Sequence, residues 1–340
     1  MTVSVVHALA GVARDAAHLP APHLPAPHLP APHLPAPRQP CRACGRDEPV
    51  LADRSDGAVV RHGTAVAKAH APGTDPDGHR IRLAVAAHPR LAGILLPPLP
   101  LPSGTHDVHG RPVTAWPYGT PVDPADPDAA PWEDAAVLLA RLHSVAPGEL
   151  PGPLPPMRGP AKAALAVARM RAAANDHPAA AASPVQRAWE RLPAWARAEA
   201  PAPRSGTLCH GDLHLGQLVR HPAPDGPWLL IDVDDLGLGD PTWDLARPAA
   251  WYAAGLLPPE IWQRFLGAYT AAHGPAVRGD ADPWPQLDVP ARALTVQTAA
   301  LALAKSAAEQ RDLDEVEEIM IDACARIAAL PPELEFESWS

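Results

Sequence analysis

The chain has 340 residues, enough for about two domains or one two-lobed body with a real core. Its 28 basic against 38 acidic residues leave a net charge of −10, which excludes a basic nucleic-acid or anionic-membrane module and leaves room for a cationic partner. Proline at 47 and glycine at 23 are unevenly spread, so part of the chain reads as unstructured.

Only three of the 28 basic residues are lysine, namely Lys68, Lys162 and Lys305, so each lysine that survives the arginine bias stands out. Cys41, Cys44, Cys209 and Cys324 contain one close pair, which makes neither a disulfide framework nor a complete four-ligand zinc site, and a reducing cytoplasm fits them. No apolar run is long enough to span a membrane. The opening MTVSVVHALAGVA has no basic region before it and is closed by Arg14, so it does not read as a signal peptide. From His18 to Arg38 the motif LPAPH repeats and sets His18, His23, His28 and His33 five residues apart. Proline at that density blocks helix and sheet and leaves polyproline II, a solvated tail rather than a metal site. Residues 1–48 are accordingly expected to be a disordered tail, and deletion of residues 1–45 is expected to leave the melting temperature and nucleotide affinity unchanged.

From Pro49 the chain reads as strands. VLADRSDGAVVRHGTAVAKAHA divides at Ser55-Asp56-Gly57 and at His62-Gly63 into an antiparallel meander. PDGHRIRLAVAAHP is one short helix, with Asp75 or Asp77 near its start and Pro89 ending it. GILLPPLPLP and GRPVTAWPYG add two extended segments around a turn at His109-Gly110. Residues 49–118 thus form a small sheet lobe. Residues 119–330 have a different texture: PWEDAAVLLARLHSV, AKAALAVARMRAA, PVQRAWERLPAWARAEA, PPEIWQRFLGAYTAA and DLDEVEEIMIDACARIAAL carry apolar residues at helical spacing. Residues 331–340 read as a C-terminal tail. The acidic run Asp312, Asp314, Glu315, Glu317 and Glu318 reads as a helix N-terminus complementing the macrodipole.

Between the third and fourth of these helices, residues 206–244 form a non-helical island, TLCHGDLHLGQLVRHPAPDGPWLLIDVDDLGLGDPTWDLA. A short strand leads into His210-Gly211-Asp212, a loop carries Gln217, and QLVRH with WLLIDV makes a hairpin. Asp232 falls on its second strand, able to face the loop of Asp212 and Gln217. Three oxygen-bearing side chains at that spacing suit a hard cation such as magnesium, which keeps waters and substrate phosphates as its other ligands. Asp234 reads as a plain exposed carboxylate, Asp235 as a turn residue, and His214 as a structural histidine.

HGDLHLGQ followed by IDVDD and DPTWDLA resembles the catalytic and metal-binding segments of the aminoglycoside phosphotransferase and choline-kinase-like superfamily. VAKAHA, WPYG and LLARLHSV occur in the order of that superfamily, and the resemblance spans roughly residues 49–330. It implies an α/β (α+β), protein-kinase-like two-lobed fold, with an antiparallel-sheet N-lobe and a larger, mainly helical C-lobe. It also implies ATP-dependent transfer of a phosphoryl group to a small-molecule hydroxyl. On the matching positions, Asp212 would orient or deprotonate the acceptor hydroxyl and His210 would brace its loop. Gln217 and Asp232 would hold Mg2+, Lys68 would grip the phosphates of ATP, and the backbone of Trp116, Pro117 and Tyr118 would border the adenine. Asp240 and Asp244 would tie the following segment to the loop.

Two departures stand beside these matches. Gln217 replaces the usual asparagine, as in the maltokinase branch, and the short helix has no mid-helix glutamate to pair with Lys68, leaving Asp75 or Asp77 as substitutes. The acceptor expected first is aminoglycoside-like, because the chain is acidic; a maltokinase-like sugar or an amino alcohol is the alternative. A catalytically silent pseudokinase, serving as a nucleotide- or partner-binding scaffold, is the reading from a different class. Neither nucleic acid nor membrane is an expected partner.

Overall fold

The computed structural model describes residues 4–19, 44, 49–54, 57–101, 107–173, 179–277 and 282–331, which fall into two compact units. The first is built on a five-stranded antiparallel sheet under one helix, α1 (Val5–His18). The strands β1 (Val50–Arg54), β2 (Gly57–His62), β3 (Ala65–Ala69), β4 (Asp107–Val108) and β5 (Arg111–Pro117) lie in the order β1-β2-β3-β5-β4. Register places Lys68 opposite Val59 on one side and Thr114 on the other. Strand alternation then decides what faces what. Ala58, Val60, Ala67, Ala69 and Val113 share one face and pack against Leu9, Ala10, Val12 and Ala13 of α1, while Lys68, one residue out of phase, points to the other face.

The meander and its single short helix, α2 (Pro76–Ala86), match the sequence pattern, and His109 and Gly110 make the expected turn with φ of 54° and 74°. Two positive φ values in succession are the geometry of a tight two-residue hairpin. A two-residue strand, β6 (Thr120–Pro121), follows.

Residues 5–18 correct the expected tail boundary. Val5, Leu9, Val12, Ala13 and Ala16 recur at helical spacing, and Ser4 starts the helix by accepting the His7 N–H on its Oγ at 3.2 Å. Leu9 and Ala13 are fully buried, so this segment is part of the sheet unit's core. The LPAPH repeats that dominate the tail reading lie outside the described residues, as do Cys41, Ser55 and Asp56.

The second unit is mainly helical: α3 (Trp132–His143), α4 (Gly159–Ala172), α5 (Ala179–Glu190), α6 (Thr242–Ala254), α7 (Pro259–Ala271), α8 (Trp284–Glu309) and α9 (Glu315–Ala328). The helix expected to run through PAWARAEA instead stops at Glu190, and the chain turns around Pro193, whose ring disfavours helix in the residue before it. α6 and α8 have no counterpart among the helices read from the sequence. Pro248 and Pro290 sit inside them and read as stops, yet α8 is the longest helix and packs on α4, α6 and α9. The acidic run does start a helix: Asp314 and Glu317 form a reciprocal capping box, and Arg311 holds Glu317 through two hydrogen bonds of 2.6 and 2.7 Å.

Because α1 closes the sheet's core, Leu9→Ala is expected to lower the unfolding free energy by about 2–4 kcal/mol in urea titrations, the usual cost of truncating a buried leucine. An unchanged midpoint would mean that α1 adds nothing to the fold.

Candidate active site

The island between α5 and α6 is ordered by four short strands. β7 (Thr207–Cys209) pairs antiparallel with β10 (Gly237–Gly239), with Gly237 opposite Cys209, and β8 (Leu218–Arg220) neighbours β9 (Trp228–Leu230) as the expected hairpin. β7 delivers the chain directly into His210-Gly211-Asp212. Gly211 takes φ of 86°, and a Cβ there would lie 2.3 Å from the Asp235 carbonyl oxygen, so only glycine fits.

The loop is fastened from below by one carboxylate. Asp244, in the first turn of α6, accepts the His210 N–H on Oδ2 at 2.6 Å and the Gly211 N–H on Oδ1 at 2.7 Å. His143 of α3 donates its Nε2–H to the same Oδ2 at 2.9 Å, and its Nδ1 accepts the Tyr269 hydroxyl of α7 at 2.8 Å. That hydroxyl in turn accepts the Ala276 N–H. Asp244 and His143 side chains are fully buried. Burial alone would raise the Asp244 pKa, but the hydrogen bonds from His143 and Gly211 and the neighbouring imidazoles bring it below the usual carboxylate range. His210 adds a second brace, its Nε2–H donating to the Ile231 carbonyl at 2.8 Å. Asp240 accepts from both the N–H and the hydroxyl of Thr242 at the start of α6 and pairs with Arg204.

Asp212 itself lies in a row of alternating charge. Lys162 of α4 places Nζ 2.7 Å from Asp212 Oδ2 and 2.7 Å from Asp235 Oδ2. Arg247 of α6 donates to Asp212 Oδ1 at 2.9 Å and to the Leu213 carbonyl at 3.1 Å, and Arg158 stands 3.4 Å from Asp235. Burial works against the Asp212 charge, yet Lys162 and Arg247 hold its carboxyl below the ordinary range. Burial likewise disfavours the Lys162 charge, and Asp235 and Asp212 more than offset it, so Lys162 is held as the ammonium. Burial keeps the Asp235 carboxyl above its usual value, with the like charge of Asp212 pushing the same way. Gly159, Gly211, Asp212, Trp243, Arg247 and Gln297 line a small recess here.

The segments that carry Gln217 and Asp232 adjoin through their backbones. Leu215–Gln217 is a single 3-10 turn, and the Ile231 N–H donates to the Gln217 carbonyl at 2.9 Å. β9 ends at Leu230, so Asp232 lies two residues past the strand rather than on it; its φ of 64° breaks the extended run. An amide oxygen and a carboxylate in adjoining segments are hard donors that fit magnesium. His214 Nδ1 accepts the Gly216 N–H at 3.1 Å, a structural use that leaves this nitrogen unprotonated. Asp235 is buried and ion-paired instead of being a simple turn residue, and Asp234 is half-buried rather than exposed.

In the sheet unit, Lys68 lies mid-strand on β3. The two acidic residues read as its substitutes are used on α2: Asp75 caps the helix by accepting the Asp77 and Gly78 N–H groups, and Asp77 pairs with Arg80 at the surface. Trp116 is buried with its indole N–H donated to Thr114. Pro117 ends β5, and the Tyr118 ring lies under the Arg61 guanidinium, 3.4 Å from centroid to carbon. The Tyr118 N–H and carbonyl are bonded to Thr64 and His221.

The sequence matches the phosphotransferase enzyme family over residues 48–284, well over half of its length. The chain belongs to that family. No curated protein matches the sequence. Among solved structures, this phosphotransferase is similar to an aminoglycoside phosphotransferase crystallised with AMP-PNP and hygromycin B, at 15% identity and TM-score 0.55 over 84% of this chain and 95% of that one. A choline kinase from Cryptosporidium parvum gives 11% identity and TM-score 0.54 over 83% and 88%. A choline/ethanolamine kinase family protein from Mesorhizobium loti gives 15% and 0.51 over 86% and 92%. At these identities the likeness establishes the fold, a protein-kinase-like one.

Lys162 and Arg247 are the site residues that motif reading misses in this phosphotransferase. Both come from helices flanking the island, 50 and 35 positions from Asp212 in opposite directions of the chain; the one sequence signal for Lys162 is its rarity as a lysine. Removing this ammonium leaves two carboxylates facing each other, which moves the Asp212 pKa upward. Lys162→Met is therefore expected to shift the acidic limb of the kcat/KM profile upward by about one pH unit or more. A limb that stays in place would separate Lys162 from Asp212.

Proposed function

We propose that this protein transfers the γ-phosphoryl group of ATP to a hydroxyl of a small molecule, with Asp212 positioning that hydroxyl. The observation that carries the reading is the ionised Asp212 held at a small recess by Lys162 and Arg247 on a loop pinned through Asp244. A carboxylate kept below the ordinary pKa range is a weak base. Its contribution is orientation, which suffices for the loose transition state of phosphoryl transfer.

Gln217 and Asp232 would hold Mg2+, which supplies charge neutralisation on the phosphates when bound. Support comes from their hard oxygen donors and from the strained backbone of Asp232, a kind of outlier that concentrates at functional sites. Lys68 would bind the nucleotide phosphates, and the backbone of Trp116, Pro117 and Tyr118 would border the adenine. Within the acceptor class, the charges around Asp212 favour a neutral or anionic hydroxyl compound over the aminoglycoside-like polyamine. Both Asp212 oxygens are already in ion pairs, and Arg158, Lys162 and Arg247 oppose an incoming ammonium.

The test is ATP turnover with Mg2+ over a panel of sugars, hydroxy acids, amino alcohols and aminoglycosides. Asp212→Asn should keep fold and nucleotide binding while lowering turnover by roughly 10²-fold or more, the cost of a misplaced acceptor. Gln217→Asn keeps the ligand oxygen on a shorter arm and should retain part of the activity; Gln217→Leu should lose it while staying folded. Lys68→Ala should weaken ATP use with less than about 1 kcal/mol change in stability. Nucleotide binding without turnover on every acceptor would favour the silent-scaffold reading instead.

A further inference from the structure

The sheet unit contains a second constellation, unrelated to the phosphotransfer residues. His18 is the last residue of α1, and His62 the last of β2. Alternation along β2 puts His62 on the face that α1 covers, where it is almost fully buried. Cys44, just ahead of β1, meets both: its Sγ lies 3.5 Å from His18 Nε2 and 3.7 Å from His62 Nε2. The two imidazole planes are nearly perpendicular, at 83°, so the rings do not stack; each directs its Nε2 edge at the same sulfur. All three donor atoms lie within 4.8 Å of one another.

These distances have a chemical reading. With Zn–S near 2.3 Å and Zn–N near 2.0–2.1 Å, a tetrahedral centre has sulfur-to-nitrogen edges of about 3.5 Å. The sulfur can donate to one imidazole and accept from the other, and with a thiolate both Nε2 lone pairs and the sulfur instead converge on one point, the arrangement of a shared cation. The donor set, one thiolate and two imidazoles, selects a borderline-soft transition metal and discriminates against magnesium and calcium. We propose that His18, Cys44 and His62 bind one zinc-class divalent ion. The ion clips the end of α1 to the end of β2 and to Cys44, six residues ahead of β1, tying together positions 18, 44 and 62 of the chain. Loop closure of this kind stabilises by restricting the unfolded chain. The site lies on the α1 side of the sheet, and Lys68 faces the other side, so the ion acts on stability and not on phosphoryl transfer.

The experiment uses the full chain without an affinity tag, stripped with chelator and titrated with Co2+. One equivalent should produce the visible bands of tetrahedral cobalt together with a thiolate-to-cobalt charge-transfer band, and Zn2+ should displace both. The LPAPH histidines supply no sulfur and so cannot give the charge-transfer band. Cys44→Ser is expected to lose it, and His18→Ala, at the helix end, to weaken cobalt binding by at least about tenfold. Zinc should raise the Tm of wild type and leave that of Cys44→Ser unchanged. Absence of the charge-transfer band at one equivalent, or its survival in Cys44→Ser, would overturn the proposal.

Discussion

A single buried carboxylate, that of Asp244, holds three donors from different parts of the chain: the backbone of His210 and Gly211 and the imidazole of His143. Burying a charge is costly unless each oxygen is hydrogen-bonded, and here both are. The return is positional. α3, α6 and α7 are joined through His143, Asp244 and Tyr269, and the loop carrying Asp212 is fixed to that joint through its own backbone. Because the folded-state pKa of Asp244 is lowered, this stabilisation is present in full above the usual carboxylate range and is lost as pH falls below it.

With the loop fixed, charge decides what Asp212 can do. Lys162 stands between Asp212 and Asp235, and Arg247 closes the other oxygen of Asp212. Two carboxylates this close would otherwise force one to take up a proton. The lysine keeps Asp212 ionised and leaves Asp235 as the member whose burial pulls its pKa upward. The same cations that keep Asp212 charged also set the field met by an acceptor. An orienting carboxylate and a preference against polycations thus have one origin.

Much of this was legible in the sequence because the information is local. HGD on a strand exit, Gln217 five residues past Asp212, and the hairpin before Asp232 are short-range patterns, and the structure places them as read apart from Asp232, which falls beyond β9. What was not legible depends on distant packing. Lys162 reaches Asp212 only because α4 lies beside the island. Asp235, which reads as a turn residue, acquires its role from the same helix. α1 is hidden by its neighbourhood: a helical pattern of small residues adjoins a proline repeat and is absorbed into the tail by composition. α6 and α8 are hidden by prolines that helices tolerate where neighbouring helices bury them.

The central claim is that Asp244 makes the His210–Asp212 loop as rigid as the helices around it. Amide hydrogen exchange at Gly211 tests it most directly, since that N–H belongs to no helix or strand and is bonded to Asp244 Oδ1. The account predicts that Gly211 exchanges only through opening as rare as that of the buried turns of α6 and α8, with protection lost selectively in Asp244→Asn. Exchange of Gly211 at the rate of an open loop, while α6 and α8 stay protected, would contradict it.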